Sequence, residues 1–401
     1  MTAVRSSSRN WRTLLAAIVF ACLPTVGIYG GGSYAGLMIG LAAVILIADL
    51  FAKRQPMIDW TLAALAIPFL VLLWLGLAWS IVPQRTLAGD LQMTGLFIAG
   101  IVILGIRQSL FDGSSLIFRA ALVATIVGPI VLSLDIAIGH PLLSMVTGHK
   151  NSEENYYTKL SRGLAQMAIL IWPILAYAWL NGRRRLAMAA VLVFTAFMLW
   201  QVAINISGTL SFLFGAAIFG LSLILPRFVL IAATAVVSIV AIATPFVIQL
   251  TARPLMALAD QIKPSARHRL EIWDYLTARA LERPFSGWGW QTAQFVPVTA
   301  EEKSHYKYFW ENGIPHPHDF WIQLWLETGV FGLLLGLAFT LIVLRRIGRQ
   351  PQDVRPFGLA AFATAFALSL PSFNLSTDSW WCALAATGLL FALLPSARQP
   401  R

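Results

Sequence analysis

Charged side chains are scarce in this chain. Asp, Glu, Lys and Arg make up 12% of the 401 residues, whereas apolar and aromatic residues make up 58%. A soluble domain usually carries about 25% charged residues, so the composition excludes an ordinary soluble protein. Apolar runs long enough to cross a bilayer recur along the sequence. Such segments must be helical, because lipid offers backbone groups no hydrogen-bond partner. We therefore expect an all-α integral membrane protein.

Cysteine is almost absent. Cys22 and Cys382 both lie inside apolar runs without a CxxC neighbour. This excludes a disulfide framework, and we interpret both residues as part of the core. The chain also lacks an internal sequence repeat of the kind found in many transporters. Its Gly287-Trp288-Gly289 lacks the strand-and-helix context of a nucleotide-binding loop, so we expect no nucleotide and no other cofactor.

Hydropathy predicts about twelve transmembrane helices. The predicted spans are Thr13–Tyr29, Ser33–Phe51, Ile58–Val82, Leu87–Ile106, Leu116–Ile138, Leu160–Leu180, Leu186–Ala203, Leu210–Leu225, Phe228–Leu250, Phe320–Leu344, Phe357–Leu370 and Trp380–Leu394. A basic segment precedes the first run as in a signal peptide. The next span follows at once without a clear cleavage site, so we predict a first span there. Spans one to nine thus occupy residues 1–250, a large outer loop with an amphipathic helix occupies 251–319, and spans ten to twelve occupy 320–401.

The net charge of +11 follows the topology of a membrane protein, and we expect no nucleic-acid partner. With a cytoplasmic N-terminus, 17 of the 29 Lys and Arg residues fall in or beside the inner loops, and every inner loop holds at least one. The C-terminus is then cytoplasmic as well. The six histidines all fall in outer loops or at their edges: His140, His149, His268, His305, His316 and His318. We therefore predict that the chemistry takes place on the extracytoplasmic side.

The large outer loop contains one clear helix. Ser265 precedes a helical segment that ends before Pro284. Arg269 and Trp273 share one face of this helix, because they are four residues apart. A guanidinium pairs bidentately with phosphate, so Arg269 is a candidate for binding a sugar diphosphate. The alternative is an interfacial helix whose arginines contact anionic lipid headgroups.

A turn rich in glycine and tryptophan follows, with the sequence Pro284-Phe285-Ser286-Gly287-Trp288-Gly289-Trp290. The two glycines allow sharp backbone bends or the close approach of a ligand. The tryptophans are candidates for stacking on a sugar ring. The alternative is an aromatic-belt turn at the membrane surface.

The stretch His316-Pro317-His318-Asp319 ends this loop and meets the apolar run of span ten. Titratable side chains at the edge of a span indicate a function. A histidine can take a proton from a sugar hydroxyl, with Asp319 or Glu327 orienting or balancing the imidazole. Two other interpretations are a metal site with Asp319 as third ligand and an aromatic-belt segment without a catalytic role. Glu327 is expected to face a protein interior or a watery cavity.

These motifs, in this order and on one side of the membrane, resemble the O-antigen ligase and O-antigen polymerase superfamily. The resemblance covers about residues 160–344. It rests on Arg269-x-x-x-Trp273, the Pro284-to-Gly289 motif, His318-Asp319-x-x-Ile322 and Gly329-x-x-Gly332. It implies a GT-C-like fold with a large periplasmic loop in the inner membrane of a bacterium.

The resemblance also implies a reaction. A glycan carried on undecaprenyl diphosphate is transferred at the periplasmic face to an acceptor hydroxyl, with inversion and without a metal ion. His318 matches the family's base, and Arg269 and Arg162 match arginines that bind the diphosphate. The further substrate contacts that we expect are Arg267, Trp273, Gly287, Gly289, His316, Asp319 and Glu327. The expected partners are the lipid-linked donor, the acceptor and membrane lipids.

Two positions depart from the family pattern. Asp319 stands where the family usually has Asn, and an acid there is expected to raise the pKa of the adjacent His or to replace an amide contact to sugar. The turn at residues 205–209 lacks an arginine that the family often has there. That phosphate contact is either missing or supplied by Arg162, Arg267 or Lys263.

The expected function is that of an O-antigen ligase whose acceptor is lipid A–core. A polymerase that joins repeat units of O-antigen or exopolysaccharide is an alternative, because acceptor choice depends on the shape of the loop. A polysaccharide transporter or flippase is a remoter alternative. It would favour charged residues near the middle of the membrane, whereas this chain concentrates polar residues at one surface.

Overall fold

The structure, a computed structural model, describes residues 2–29, 33–55, 58–147, 153–201, 205–262, 264–306 and 316–395. All regular elements in these ranges are helical, which confirms the predicted all-α class. The α-helices are α1 Thr2–Tyr29, α2 Ser33–Phe51, α3 Trp60–Gly76, α4 Pro83–Gly105, α5 Arg107–Leu110, α6 Ser114–Ala137, α7 Pro141–Thr147, α8 Glu153–Leu180, α9 Arg184–Trp200, α10 Ile206–Ile224, α11 Pro226–Ile262, α12 Pro264–Glu282, α13 Ala300–His305, α14 Phe320–Gly348, α15 Arg355–Ser369 and α16 Asp378–Ala392.

Each predicted span overlaps one of these helices, and α2 has the predicted bounds. Within the described ranges, six helical stretches are long and apolar enough to cross a membrane, and one of them, Pro83–Ala137, combines α4 to α6. Two shorter apolar segments, Trp11–Pro24 and Trp60–Gly76, lie in α1 and α3. The chain thus has the helices of an integral membrane protein. The count of twelve spans and the division of the chain at residues 251 and 319 stay predictions.

Helix α11 differs most from its predicted span. It continues to Ile262, past the predicted end at Leu250. The extension is rich in Ala, Leu and Met, which favour helix regardless of where the apolar run ends. Helix α12 follows directly and packs against both α11 and α14. The first part of the predicted outer loop is therefore a helical arm that supports the candidate site.

The buried apolar residues form two main clusters. One joins α1, α2, α6, α8, α9, α10, α15 and α16. The other joins α3, α4, α11, α12 and α14 with the Trp288–Trp290 turn. Helices α8 and α15 are linked by a buried hydrogen bond of 3.0 Å from Trp172 Nε1 to Thr364 Oγ1. The segment that contains His316 and His318 enters α14, within the second cluster.

Candidate functional site

The two histidines of the His-Pro-His stretch lie against each other at the start of α14. Their ring centroids are 3.9 Å apart, and the backbone N–H of His318 donates to Nδ1 of His316 at 3.3 Å. Trp273 of α12 donates its indole N–H to the carbonyl of Pro317 at 2.8 Å. His318 has a φ of 56°, a left-handed conformation that histidine adopts more readily than most residues. Trp273 therefore has a positioning role, because its hydrogen bond to Pro317 holds the His-Pro-His segment against helix α12.

Both imidazoles sit in an electropositive environment. The pKa of His316 is lowered to about 4, chiefly by burial and also by the charges of Arg162 and Arg269. Burial also lowers the pKa of His318 to about 3, with contributions from His316, Arg269, His268 and Arg162. Both rings are therefore neutral at pH 7 and can accept a proton. These contributions show that Arg162 of α8 and Arg269 of α12 lie within electrostatic range of both histidines.

Arg162 and Arg269 supply uncompensated positive charge at this place. In the described part of the chain neither forms an ion pair with a carboxylate. Arg269 is half-buried, and burial lowers its pKa. A partly desolvated guanidinium without a counter-ion binds anions strongly. The arrangement suits an anionic group that bridges α8 and α12.

Arg267 is engaged differently from the expectation that it contacts substrate. Its Nε donates to Glu271 Oε1 at 2.9 Å, and its Nη1 pairs with Asp260. The bond to Glu271 raises its pKa. Two carboxylates therefore compensate this guanidinium within the protein, and its contacts join α11 to α12. Lys263, the other cation considered for this role, lies outside the described residues.

Asp319 caps helix α14. Its Oδ1 accepts the backbone N–H groups of Trp321 and Ile322, both at 2.8 Å, and its side chain is buried. Burial raises the pKa of this carboxyl group to about 7. The expectation that Asp319 raises the pKa of His318 is wrong, because burial and neighbouring cations lower that pKa instead. The capping bonds also leave Asp319 facing its own helix, where a contact to sugar is not favoured.

A break in α14 receives the glycine- and tryptophan-rich turn. Gly329 lies inside the helix with φ 64° and ψ −162°, which interrupts the helical hydrogen bonds. The carbonyls of Leu326 and Glu327 accept instead from the N–H groups of Trp288 and Gly289, at 2.9 and 3.1 Å. The turn and the broken helix thus pair their backbones, so the turn is part of the scaffold.

The two glycines of this turn lie against other atoms of the chain and do not border open space. Gly287 and Gly289 have φ values of 65° and 103°. A Cβ on Gly287 would lie 2.5 Å from the backbone carbon of Glu327, and one on Gly289 would lie 2.6 Å from Ser80 Oγ. Trp288 and Trp290 are only 6% and 1% exposed. The expected stacking of these tryptophans on a sugar is therefore wrong, and the positive φ values of the glycines are explained by packing within the chain.

Glu327 faces the protein interior, one of the two surroundings expected for it. Its carboxylate accepts from Gln323 Nε2 at 3.0 Å and from the backbone N–H groups of Gln291 and Ala293. It is 3% exposed. These bonds hold the end of the turn on α14, which is a structural role, and its expected contact with substrate gains no support.

Two residues near the site were not singled out from the sequence. His268 contributes to the low pKa of His318, and its Nε2 is buried without a hydrogen-bond partner in the described part of the chain. Asn205 caps α10 through Gly208 and donates to the carbonyl of Ser161 at 3.0 Å. It fixes the chain beside Arg162. Its position in a turn directly before a helix was the available signal.

The metal-site interpretation gains no support from the arrangement of ligands. Within the described ranges, no three His, Cys, Asp or Glu side chains are grouped to hold an ion. The residue considered as third ligand, Asp319, directs its Oδ1 to backbone N–H groups. The site is better described as a pair of neutral imidazoles beside two arginines.

Comparison with known proteins identifies relatives of this chain. Residues 202–337 match the O-antigen ligase family, and this region contains Arg269, His316 and His318. A "Putative polysaccharide ligase" of Rickettsia felis is 27% identical over 225 residues, which are 55% of this chain and 54% of that protein. Another protein of that name, from Rickettsia bellii, is 24% identical over 311 residues, 76% of this chain and 73% of the relative.

These matches confirm the resemblance to the O-antigen ligase superfamily that the motifs indicated. The chain spans about half the length of several curated relatives that it matches, among them the R. felis protein and one from Rickettsia conorii at 25% identity. Arg162 lies outside the matched family region.

Proposed function

We propose, on the premise that this chain is a member of the O-antigen ligase superfamily, that it transfers a glycan from undecaprenyl diphosphate to an acceptor hydroxyl. The reaction takes place at the periplasmic face of a bacterial inner membrane. The acceptor is lipid A–core, which makes the protein an O-antigen ligase. The observation that carries the proposal is the electrostatic effect of Arg162 and Arg269, neither of which is ion-paired within the described residues, on the imidazoles of His316 and His318.

The proposed chemistry is a single displacement. The acceptor hydroxyl oxygen attacks the anomeric carbon, and His318 takes the hydroxyl proton. The bond from the anomeric carbon to the phosphate oxygen breaks, and the diphosphate leaves with the electron pair. Attack opposite to the leaving group inverts the anomeric configuration. Arg269 and Arg162 stabilise the charge on the leaving diphosphate, and such preorganised electrostatics is usually the largest catalytic contribution.

The low pKa of His318 is consistent with an empty site whose positive charges are not neutralised by a bound anion. A base works best when its pKa lies near the working pH, and about 3 is far below it. Burial is the main cause of this low value, and two nearby guanidinium groups contribute to it. A bound diphosphate neutralises them and raises the pKa of His318. In this scheme the imidazole is a better base when the donor is bound than in the empty site.

His318→Asn is the variant that tests the base. Asn tolerates the left-handed conformation at φ 56°, whereas Ala adds strain there. Asn cannot take up the proton, so turnover of purified protein with a lipid-linked donor is expected to fall by about 10²- to 10⁴-fold. The matched control is His140→Asn, because His140 has a similar φ of 61° and lies between α6 and α7. Turnover of a folded His318→Asn protein within threefold of the control would exclude His318 as the base.

Arg269→Gln tests the diphosphate contact. Loss of a charge-assisted contact is expected to raise KM for the donor and to lower kcat by at least about tenfold. Arg85→Gln serves as the control, since Arg85 is an exposed arginine at the start of α4 that takes no part in the proposed contact. An Arg269→Gln protein with unchanged kcat/KM for the donor would remove this residue from the site.

The lipopolysaccharide of a deletion strain separates ligase from polymerase. Free lipid A–core together with accumulated lipid-linked polymer is expected for loss of a ligase. Core that bears a single repeat unit would indicate an O-antigen polymerase instead, and normal lipopolysaccharide would contradict both the ligase and the O-antigen polymerase.

A further inference from the structure

A cavity of about 480 Å³ lies between α3, α4, α14, α15 and α16. This volume falls within the range of roughly 300–1,000 Å³ that is common for ligand sites. Most of its wall is apolar, and several of the lining side chains are aromatic: Phe97, Phe339, Phe362, Phe366 and Trp381. The walls therefore suit a hydrocarbon chain.

The charged side chains of this cavity gather at one end. Phe320 and Trp321 line the end next to His318, whereas Arg346 lines the other, together with Asp59 and Arg107. Phe320 and Arg346 are 26 residues apart on α14. Gly329 breaks α14 between these two residues, but the unbroken part from Val330 to Arg346 alone spans about 24 Å at 1.5 Å per residue, most of the roughly 30 Å hydrocarbon core. The charged end is thus the end of the cavity away from the candidate active site, and the predicted topology puts it near the opposite membrane surface.

The charges at this end do not cancel. Arg346 donates to both carboxylate oxygens of Asp59, at 2.7 and 2.9 Å. Arg107 lines the same end, and among the described residues it forms no ion pair. One net positive charge therefore stands at one end of a mostly apolar cavity. An amphiphile with a phosphate head and hydrocarbon tails has the complementary chemistry.

We propose that this cavity binds one anionic glycerophospholipid, with its phosphate at Arg107 beside the Asp59–Arg346 pair and its acyl chains along the aromatic wall. Basic pockets between transmembrane helices bind anionic lipid headgroups by the same combination of contacts. The glycan donor does not fit this orientation, because its diphosphate is proposed to bind at Arg269, at the opposite end. The lipid site takes no part in the proposed transfer reaction, and only the exclusion of the donor from it rests on the proposed function.

Two glycines of α4 allow the cavity to be filled selectively. Gly100 lines the cavity and Gly95 does not. A Cβ at either position would have no atom within 4 Å. Gly100→Leu therefore adds a side chain at the cavity wall whose Cβ meets no other atom, and Gly95→Leu adds the same side chain elsewhere on the same helix. Similarly, Arg345 neighbours Arg346 on α14 but is absent from the lining, so Arg345→Gln is a control for Arg107→Gln.

The test is native mass spectrometry of the purified full-length protein with added dioleoyl phosphatidylglycerol or dioleoyl phosphatidylcholine. The unmodified protein is expected to bind one phosphatidylglycerol about tenfold more tightly than phosphatidylcholine. Arg107→Gln is expected to reduce that preference at least threefold, and Gly100→Leu to weaken the binding of both lipids. Arg345→Gln and Gly95→Leu are expected to behave like the unmodified protein.

Equal affinity for the two lipids would overturn the proposal, as would an unchanged preference in Arg107→Gln. So would an equal loss in Arg345→Gln, which would indicate a diffuse surface charge. Displacement of phosphatidylglycerol by equimolar undecaprenyl diphosphate would assign the cavity to the donor instead. If Gly100→Leu does not fold, the comparison of Arg107→Gln with Arg345→Gln decides alone.

Discussion

At the scale of single residues, the low pKa of His318 predicts two different pH profiles. In the empty site the pKa is about 3, so the imidazole is already neutral well below pH 5. The ratio kcat/KM reports the free enzyme, and its acid limb should not arise from His318 between pH 5 and 8. A bound diphosphate raises this pKa, because a nearby anion favours the protonated ring. The acid limb of kcat is therefore expected at a higher pH than that of kcat/KM.

The measurement is the rate of glycan transfer at limiting and at saturating donor from pH 4.5 to 8. His318→Asn should lose the acid limb of kcat from its residual activity. Coincident acid limbs in kcat and kcat/KM, or a limb that persists in His318→Asn, would show that the donor does not tune this imidazole.

Asp319 predicts a second pH effect, on stability. Its folded-state pKa of about 7 lies above the usual value because of burial. A carboxyl group of this kind stabilises the fold at low pH, and the contribution is lost as pH rises towards 7. Asn keeps the oxygen that accepts from Trp321 and Ile322 but does not ionise. Asp319→Asn is therefore expected to be at least as stable as the unmodified protein, with an advantage that is larger at pH 7.5 than at pH 5.

Thermal unfolding in detergent at these two pH values measures the effect. Asp319→Ala lacks the capping oxygen and is expected to be less stable by about 1 kcal/mol at either pH. A lower unfolding temperature for Asp319→Asn than for Asp319→Ala would contradict the capping role.

At the scale of elements, the break in α14 predicts that Gly329→Ala destabilises the protein, whereas Gly220→Ala does not. A Cβ on Gly329 would overlap the carbonyl oxygen of Phe285, and φ 64° disfavours any residue with a Cβ. Gly329→Ala is expected to cost about 1–3 kcal/mol and to lower transfer activity, because it displaces the turn from α14. Gly220→Ala, in open space on α10, should be neutral or stabilising. Equal unfolding temperatures for the two variants would show that the break is not required.

The helices could largely be predicted from the sequence, but their interruptions could not. Hydropathy placed α2 at its observed bounds, because three glycines precede this apolar run, Lys53 and Arg54 follow it, and an apolar run in lipid must be helical. Hydropathy did not predict the extension of α11 to Ile262, since the residues after Leu250 favour helix although the apolar run has ended. The break at Gly329 was hidden inside an apolar run. Its cause is a backbone pairing with Trp288 and Gly289, about 40 residues earlier in the sequence.

Some properties of the candidate site could likewise be predicted from the sequence, and others could not. Motif and topology indicated Arg269 and His318, and the structure gives both a common electrostatic environment. The sequence could not separate Arg267 from Arg269, which lie two residues apart. Their difference arises from Asp260 and Glu271, which compensate one guanidinium and not the other. Partners of this kind depend on tertiary packing, so neither residue type nor spacing could predict which charge is available.

At the scale of the whole molecule, the distribution of basic residues predicts the orientation of the chain. The 17 Lys and Arg residues assigned to the inner side require that Arg183, between α8 and α9, faces the cytoplasm. Ser304, in α13 of the outer loop, must then face the opposite side. Both side chains are exposed, so cysteines placed there would be accessible to a reagent.

Labelling with a membrane-impermeant maleimide tests this orientation in a variant that lacks Cys22 and Cys382. In intact right-side-out vesicles Ser304→Cys is expected to react, whereas Arg183→Cys reacts only after permeabilisation. The separation follows from an odd number of crossings between the two positions, and the predicted spans seven, eight and nine supply three. Reaction of both cysteines in intact vesicles would require an even number of crossings. It would then place the histidine pair on the same side as Arg183, where a donor presented at the periplasmic face cannot reach it.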